Sequence, residues 1–194
     1  MTNEFSEAHR LASVTFTERI QGVTDWDAPA PVDGWTARSV VEHLLAWFPG
    51  MLAAGSDLTL PPGPDPATDL VGAWEHQRDA VQAILEDPAT ATKTYSSPAT
   101  GDLSLPVMIN NFYTADVFMH TWDLARATGQ DDRLDEATAS AMFAGMEPIE
   151  EMLRASGQFG TQRGPLRPDA DATDKLMSFV GRDPYWTPPA GTSA

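Results

Sequence analysis

Asp116 and His120 stand four residues apart in the string DVFMHTWDLARATG, which puts a carboxylate and an imidazole one turn apart on the same face of a helix. That spacing can chelate one cation. The same face carries Ile109, Phe112, Tyr113, Val117 and Leu124, so it should point inward, where an uncompensated carboxylate is expensive. A third ligand is on offer from an earlier helix, where His43 lies between Val40 and Trp47 on an inward edge. Two imidazoles and a carboxylate, with water completing the shell, make an open, catalytic kind of site. It suits Zn2+, and also Fe2+, Ni2+ or Mn2+. The same residues have a plainer use, since Asp and His at this spacing can hydrogen-bond to each other in a core with no ion present. His9 and His76 read as ordinary surface residues.

Helices must carry these side chains, and the hydrophobic spacing supplies them. Phe5, Leu11, Val14, Phe16 and Ile20 outline a first helix from Phe5 to Val23, stopped by the loop DWDAPAPVDGW over Asp25 to Trp35. Thr36 can cap a second helix, ARSVVEHLLAWFPGMLAAG, which holds His43 and a stripe of Val40, Val41, Leu44, Leu45 and Phe48; Pro49 and Gly50 should kink or interrupt it. A third helix is expected from Ala67 to Leu85 on Leu70, Val71, Trp74, Val81, Ile84 and Leu85. The Thr-, Ser-, Gly- and Pro-rich stretch from Pro88 to Pro106 could form a long loop or a short hairpin around Ala99 to Asp102, a hairpin-like loop being preferred.

The fourth helix, VMINNFYTADVFMHTWDLARATG, is apolar around much of its circumference and should be central, ending at Gly129. A fifth is expected from Leu134 to Ala155, burying Met142, Met146, Ile149 and Met152 or Leu153. A short helical segment follows at Asp171 to Val180. Trp47 and Trp122 could wall a pocket, although ordinary packing explains them as well, and Asp123 with Arg126, spaced i,i+3, could be a pair supporting the metal ligands or, more commonly, an exposed salt bridge.

Composition narrows the chemistry. The 194 residues carry 28 acidic and 12 basic side chains, a formal charge of −16 that repels nucleic acid and anionic membrane surfaces. Six Trp, eight Phe and eight Met within 42% apolar content suffice for a packed core. The chain has no cysteine, which excludes disulfides, thiolate ligands and a cysteine nucleophile of its own, so any thiol chemistry needs an external thiol. The opening MTNEFSEAHR lacks the order of a signal peptide and no apolar run approaches a membrane span, so the expected location is the cytoplasm.

The strings DGWTARSVVEHLLAW and DVFMHTWDLARATG together resemble the paired signatures of the DinB-like superfamily, and within it the mycothiol-dependent maleylpyruvate isomerase metal-binding-domain family. The stretch FGTQRGPLRPDADATDKLMSFVGRDPYW is similar to the tails of uncharacterised actinobacterial relatives. The resemblance implies that His43, Asp116 and His120 bind a divalent metal, zinc in the family. It also marks two departures: the isomerase has glutamate where this chain has Asp116, and it carries a further C-terminal domain for which this chain is too short.

The expected fold is therefore all-α, a DinB-like four-helix bundle with an additional short C-terminal helical segment and a small hairpin. One domain is expected over residues 1–194, with residues 156–194 as a C-terminal extension. The expected function is metal-dependent transfer of a low-molecular-weight, mycothiol-like thiol to a small electrophile, or isomerisation of that electrophile. A metal-activated water acting on an ester or amide ranks below it. The alternative is a non-catalytic helical bundle that binds a partner or small ligand. The expected partners are a small-molecule thiol and an electrophile, with no nucleic acid and no membrane, and a homodimer fits the general frequency of two-fold assemblies.

Overall fold

Asn3 caps the first helix, its side-chain oxygen accepting from the Ser6 amide at 2.8 Å, with Glu4 and Glu7 meeting the positive end of the helix dipole. The structure is a computed structural model and describes residues 3–189. It is predominantly helical, its helices forming a bundle with one short two-stranded hairpin, which agrees with the DinB-like architecture expected from the sequence. Two compact units emerge, one made of Met1–Val23 with Arg38–Thr121 and the other of Thr24–Ala37 with Trp122–Ala194. Among the described residues no helix is long and apolar enough to cross a membrane.

The first unit holds α1 (Glu4–Gln21), α2 (Ala37–Gly55, from Arg38 on) and α3 (Leu70–Glu86). It also holds strands β1 (Thr94–Ser97) and β2 (Gly101–Ser104), with Tyr95 opposite Leu103 across a turn at residues 98–100. The chain then enters α4 (Leu105–Met108), passes through a π-helical segment over Ile109–Thr114 and continues as α5 (Ala115–Thr128). Fully buried Phe16, Val40, Val41, Leu44, Phe48, Trp74, Val81, Ile109, Tyr113 and Val117 form the core of this unit. Burying each of the larger side chains contributes on the order of 1.5–3 kcal/mol. Trp74 shows how closely polar atoms are matched: its ring meets Phe16 edge-on at 4.6 Å, and its indole N–H donates to Thr17 Oγ1 at 2.9 Å.

Several expectations need correcting here. Leu11 and Val14 are exposed, at 54% and 46%, because the inward face of α1 follows Ser6, His9, Ser13, Phe16 and Ile20 instead. His9 is therefore buried, not a surface residue. Its Nδ1–H donates to Gln82 Oε1 at 2.7 Å and the Ser13 hydroxyl donates to its Nε2 at 3.2 Å, which satisfies a neutral ring. Pro49 does not interrupt α2, which runs on to Gly55. Val71 on α3 is also exposed. The fourth helix starts two residues earlier than expected and contains the π segment, in which the Ala115 N–H reaches back five residues to the Asn110 carbonyl.

The second unit takes over α5 at Trp122, and Gly129 at φ +68° ends that helix in a conformation that glycine adopts without strain. The fifth predicted helix is broken in two. α6 (Glu136–Met146) gives way to a 3-10 turn at Glu147–Ile149 and then α7 (Glu150–Ala155), because Pro148 cannot continue the ladder. The break rephases the apolar stripe, so Ile149 and Met152 are exposed while Met142, Met146 and Leu153 are half-buried. α8 (Ala172–Phe179) packs on α6, with Phe179 meeting Phe143 edge-on at 5.4 Å. Asp123 is fully buried and pairs with Arg182 at 3.0 Å, whereas Arg126 pairs with Asp132 and donates to the Pro184 carbonyl at 2.8 Å. The expected Asp123–Arg126 surface pair is thus replaced by two pairs of longer reach.

Burial holds the His9 imidazole below its ordinary value, against the hydrogen bond it donates to Gln82; the Arg78 charge adds to the depression and Asp79 and Glu86 oppose it. The folded state therefore resists a proton that the unfolded chain accepts. Stability should be full above about pH 6.5, the ordinary imidazole value, and fall as pH drops below it. Urea midpoints taken from about pH 7 down to about pH 5 should decline more steeply for wild type than for His9→Gln. Identical slopes would show that His9 titrates alike in both states.

Candidate metal centre

His43 is on the second turn of α2, and its side chain is 34% exposed at the edge of the buried stripe of Val40, Val41, Leu44 and Phe48. Asp116 and His120 are on the first turns of α5, directly after the π segment, with side-chain exposures of 20% and 4%. Fully buried Ile109, Tyr113, Val117 and Leu124 confirm that this helix turns its Asp116 face inward, and Phe112 is half-buried. π segments of this kind are frequent at functional sites, and the widened turn re-aims the side chains that follow it.

The three residues come together. The His43 Nε2–H donates to Asp116 Oδ2 at 3.1 Å, and His120 Nε2 lies 3.3 Å from Asp116 Oδ1. The two imidazole rings are 4.9 Å apart at 67°, and one ligand atom from each of the three residues lies within 4.8 Å of the others. Burial pushes the Asp116 carboxyl up, but the charges and hydrogen bonds of His120 and His43 outweigh it and hold the group well below the usual carboxylate range. Asp116 is therefore an anion at neutral pH, presented beside two imidazole nitrogens. Such a donor set can hold a divalent cation, its one negative charge offsetting part of the ion's own.

Two residues around this set carry a role that their positions in the sequence did not reveal. Trp47, one turn after His43, donates its indole N–H to Asp116 Oδ2 at 3.0 Å, so it is more than a wall. Gln77 on α3 is buried and donates from Nε2 both to the Leu44 carbonyl and to the Tyr113 hydroxyl, the latter at 3.0 Å. Its spacing from Trp74 and Val81 on the apolar stripe is the available signal, since a polar side chain at a core position must find partners. Burial drives the Tyr113 phenol far above its ordinary range, so it stays neutral beside the carboxylate. His76 is outside the site and donates from Nε2 to the Pro61 carbonyl at 3.1 Å. Trp122 is packed within the second unit, with the Arg126 guanidinium 5.3 Å from its ring centre.

Residues 9–125, which include His43, Asp116 and His120, match the model of the family described as the mycothiol maleylpyruvate isomerase N-terminal domain. The chain belongs to that family. Proteins of two strains of Mycobacterium tuberculosis, both described as uncharacterized, are each 31% identical to it over 189 residues, covering 90% of this chain and 96% of their own. No solved structure matches the chain at a comparable level. Family membership and the clustered His, Asp and His side chains support a general metal-associated role.

The floor of the site can be probed without any ion. Replacing Gln77 with Leu leaves the Tyr113 hydroxyl and its neighbours without their donor, and should destabilise the protein by about 1–3 kcal/mol in spite of the more apolar side chain. Chemical denaturation checks this. An unchanged or raised stability would show that the Gln77 hydrogen bonds contribute nothing net.

Proposed function

We propose that this protein is a metal-dependent enzyme that uses a low-molecular-weight thiol of the mycothiol kind, either transferring it to a small electrophile or isomerising that electrophile. His43, Asp116 and His120 are the proposed ligands of one divalent ion. The observation that carries the reading is the convergence of these side chains from two helices, with ligand atoms within 4.8 Å of one another, in a chain of the mycothiol maleylpyruvate isomerase N-terminal domain family. A bound divalent ion, zinc in the first place and iron, nickel or manganese as alternatives, would lower the pKa of a thiol presented to it and favour the nucleophilic thiolate.

This chain's own residues supply the remainder. His43 and His120 offer imidazole nitrogens, Asp116 supplies the compensating charge, and His43 is the most exposed of the three side chains. The sulfur has to come from outside, because the chain has no cysteine. A thiolate adding to a conjugated carbon–carbon double bond forms one C–S bond and leaves a single bond free to rotate. Breaking the same C–S bond restores the alkene in its other configuration and returns the thiolate, so atoms and electrons balance; in transfer, a proton quenches the adduct and the C–S bond is kept. The cytoplasm, where such thiols stay reduced, is the proposed compartment.

A second reading draws on a specific observation. Asp116 already accepts from His43 and Trp47 and lies against His120, so the cluster is satisfied as a hydrogen-bonded network with no ion. That favours a non-catalytic bundle binding a partner or small ligand. Zinc-loaded protein assayed with mycothiol and maleylpyruvate, with products followed by mass spectrometry, separates the two readings. The enzyme reading expects turnover by wild type and its loss in a folded Asp116→Ala. Inactive wild type, together with an Asp116→Ala variant that loses stability whether or not metal is supplied, would establish the network reading instead.

A further inference from the structure

A ligand that leaves its hydrogen bond to bind an ion changes what its neighbours must do. Oδ2 of Asp116 accepts from two donors, His43 Nε2 at 3.1 Å and Trp47 Nε1 at 3.0 Å. An imidazole nitrogen that ligates a cation cannot keep its proton, so His43 ceases to donate to Oδ2 when it binds. The indole of Trp47 cannot follow, because it is a donor only and neither ligates nor deprotonates. Its N–H is the contact to the carboxylate that survives ion binding.

The indole is also held firmly enough to matter. Trp47 is half-buried, and its ring meets Phe48 edge-on at 5.6 Å and Tyr113 at 6.0 Å. Phe48 and Tyr113 stack on each other at 4.2 Å, and Gln77 ties the Tyr113 hydroxyl to the Leu44 carbonyl of α2. Trp47 and His43 are one turn apart on the same helix, so both reach the same carboxylate from one side, their rings 6.3 Å apart. A short aspartate has few torsions, and a donor that claims one oxygen decides which face of the carboxylate is turned towards the imidazoles.

We propose that Trp47 is a positioning residue of the metal centre, its indole N–H holding Asp116 Oδ2 so that the carboxylate stays oriented towards a divalent ion bound by His43 and His120. The proposal rests on the metal-site reading given above. Removing a partner that orients a ligand typically costs about ten- to a hundred-fold in metal affinity.

The test is the Zn2+ dissociation constant of the metal-depleted full-length protein, measured by competition with a chromophoric chelator. Wild type is compared with Trp47→Phe and Trp47→Met, both of which lack the donor, with Phe16→Leu, which disturbs core packing against Trp74 away from the Trp47 ring block, and with His120→Ala. The expected result is 1:1 binding to wild type, affinity about ten-fold or more weaker in each folded Trp47 variant with stoichiometry kept, near-wild-type affinity in Phe16→Leu, and binding abolished in His120→Ala. Circular dichroism establishes which variants are folded. Trp47 variants that bind within two-fold of wild type, while His120→Ala does not bind, would overturn the role of Trp47 and leave the metal site standing. Equal weakening in Phe16→Leu and the Trp47 variants would also overturn it, by assigning the effect to general loss of core packing. Wild type that takes up no Zn2+ would overturn the metal site itself and this proposal with it.

Discussion

A carboxylate set among packed helices must be met by cations or hydrogen-bond donors, and Asp116 is met from two helices at once. His43 and Trp47 reach its Oδ2 from α2, and His120 lies against its Oδ1 from one turn further along α5. Left alone, that charge would take up a proton or move to water. Surrounded as it is, it remains an anion held in one orientation. The register between α2 and α5 is thereby tied to three side chains, none of which could be displaced without leaving the carboxylate short of a partner.

The structure beneath that contact keeps the register. Tyr113, Phe48 and Trp47 form a block of rings between the two helices, and Gln77 reaches in from α3 to join the backbone of α2 to the phenol of Tyr113. The π segment at Ile109–Thr114 passes through this block immediately before Asp116, so a local departure from α-helical geometry sits where the face carrying Asp116 and His120 begins. Helix packing, aromatic contacts and one buried amide together make the site a rigid feature of helices rather than of loops, the arrangement that holds a constellation most exactly in place.

How much of this could be read from residues alone depended on the distance over which each feature is decided. The α2 segment Ala37–Gly55 and the stop at Gly129 were legible because periodicity and a terminal glycine are local signals. Asp116 and His120 were legible as a pair for the same reason. Their meeting with His43 depends on the register of two helices remote in sequence, which spacing does not encode and which the family resemblance implied. The Trp47 donor was not legible at all, since a Trp one turn from a His packs against apolar neighbours far more often than it serves a carboxylate. The buried His9 escaped because the inward face of α1 is built from small polar residues that hydrogen-bond one another, while the larger Leu11 and Val14 face outwards. Pro148 was a visible break, and treating residues 134–155 as one helix misplaced the stripe beyond it.

The central claim is that His43, Asp116 and His120 hold a metal ion, and elemental analysis tests it most directly. Untagged wild-type protein is compared with His43→Ala and His120→Ala by mass spectrometry after identical dialysis against metal-free buffer. The account predicts close to one divalent ion per chain in wild type and little in either variant. Wild type that remains metal-free after Zn2+, Fe2+, Ni2+ and Mn2+ have each been offered, or variants that retain as much metal as wild type, would contradict it.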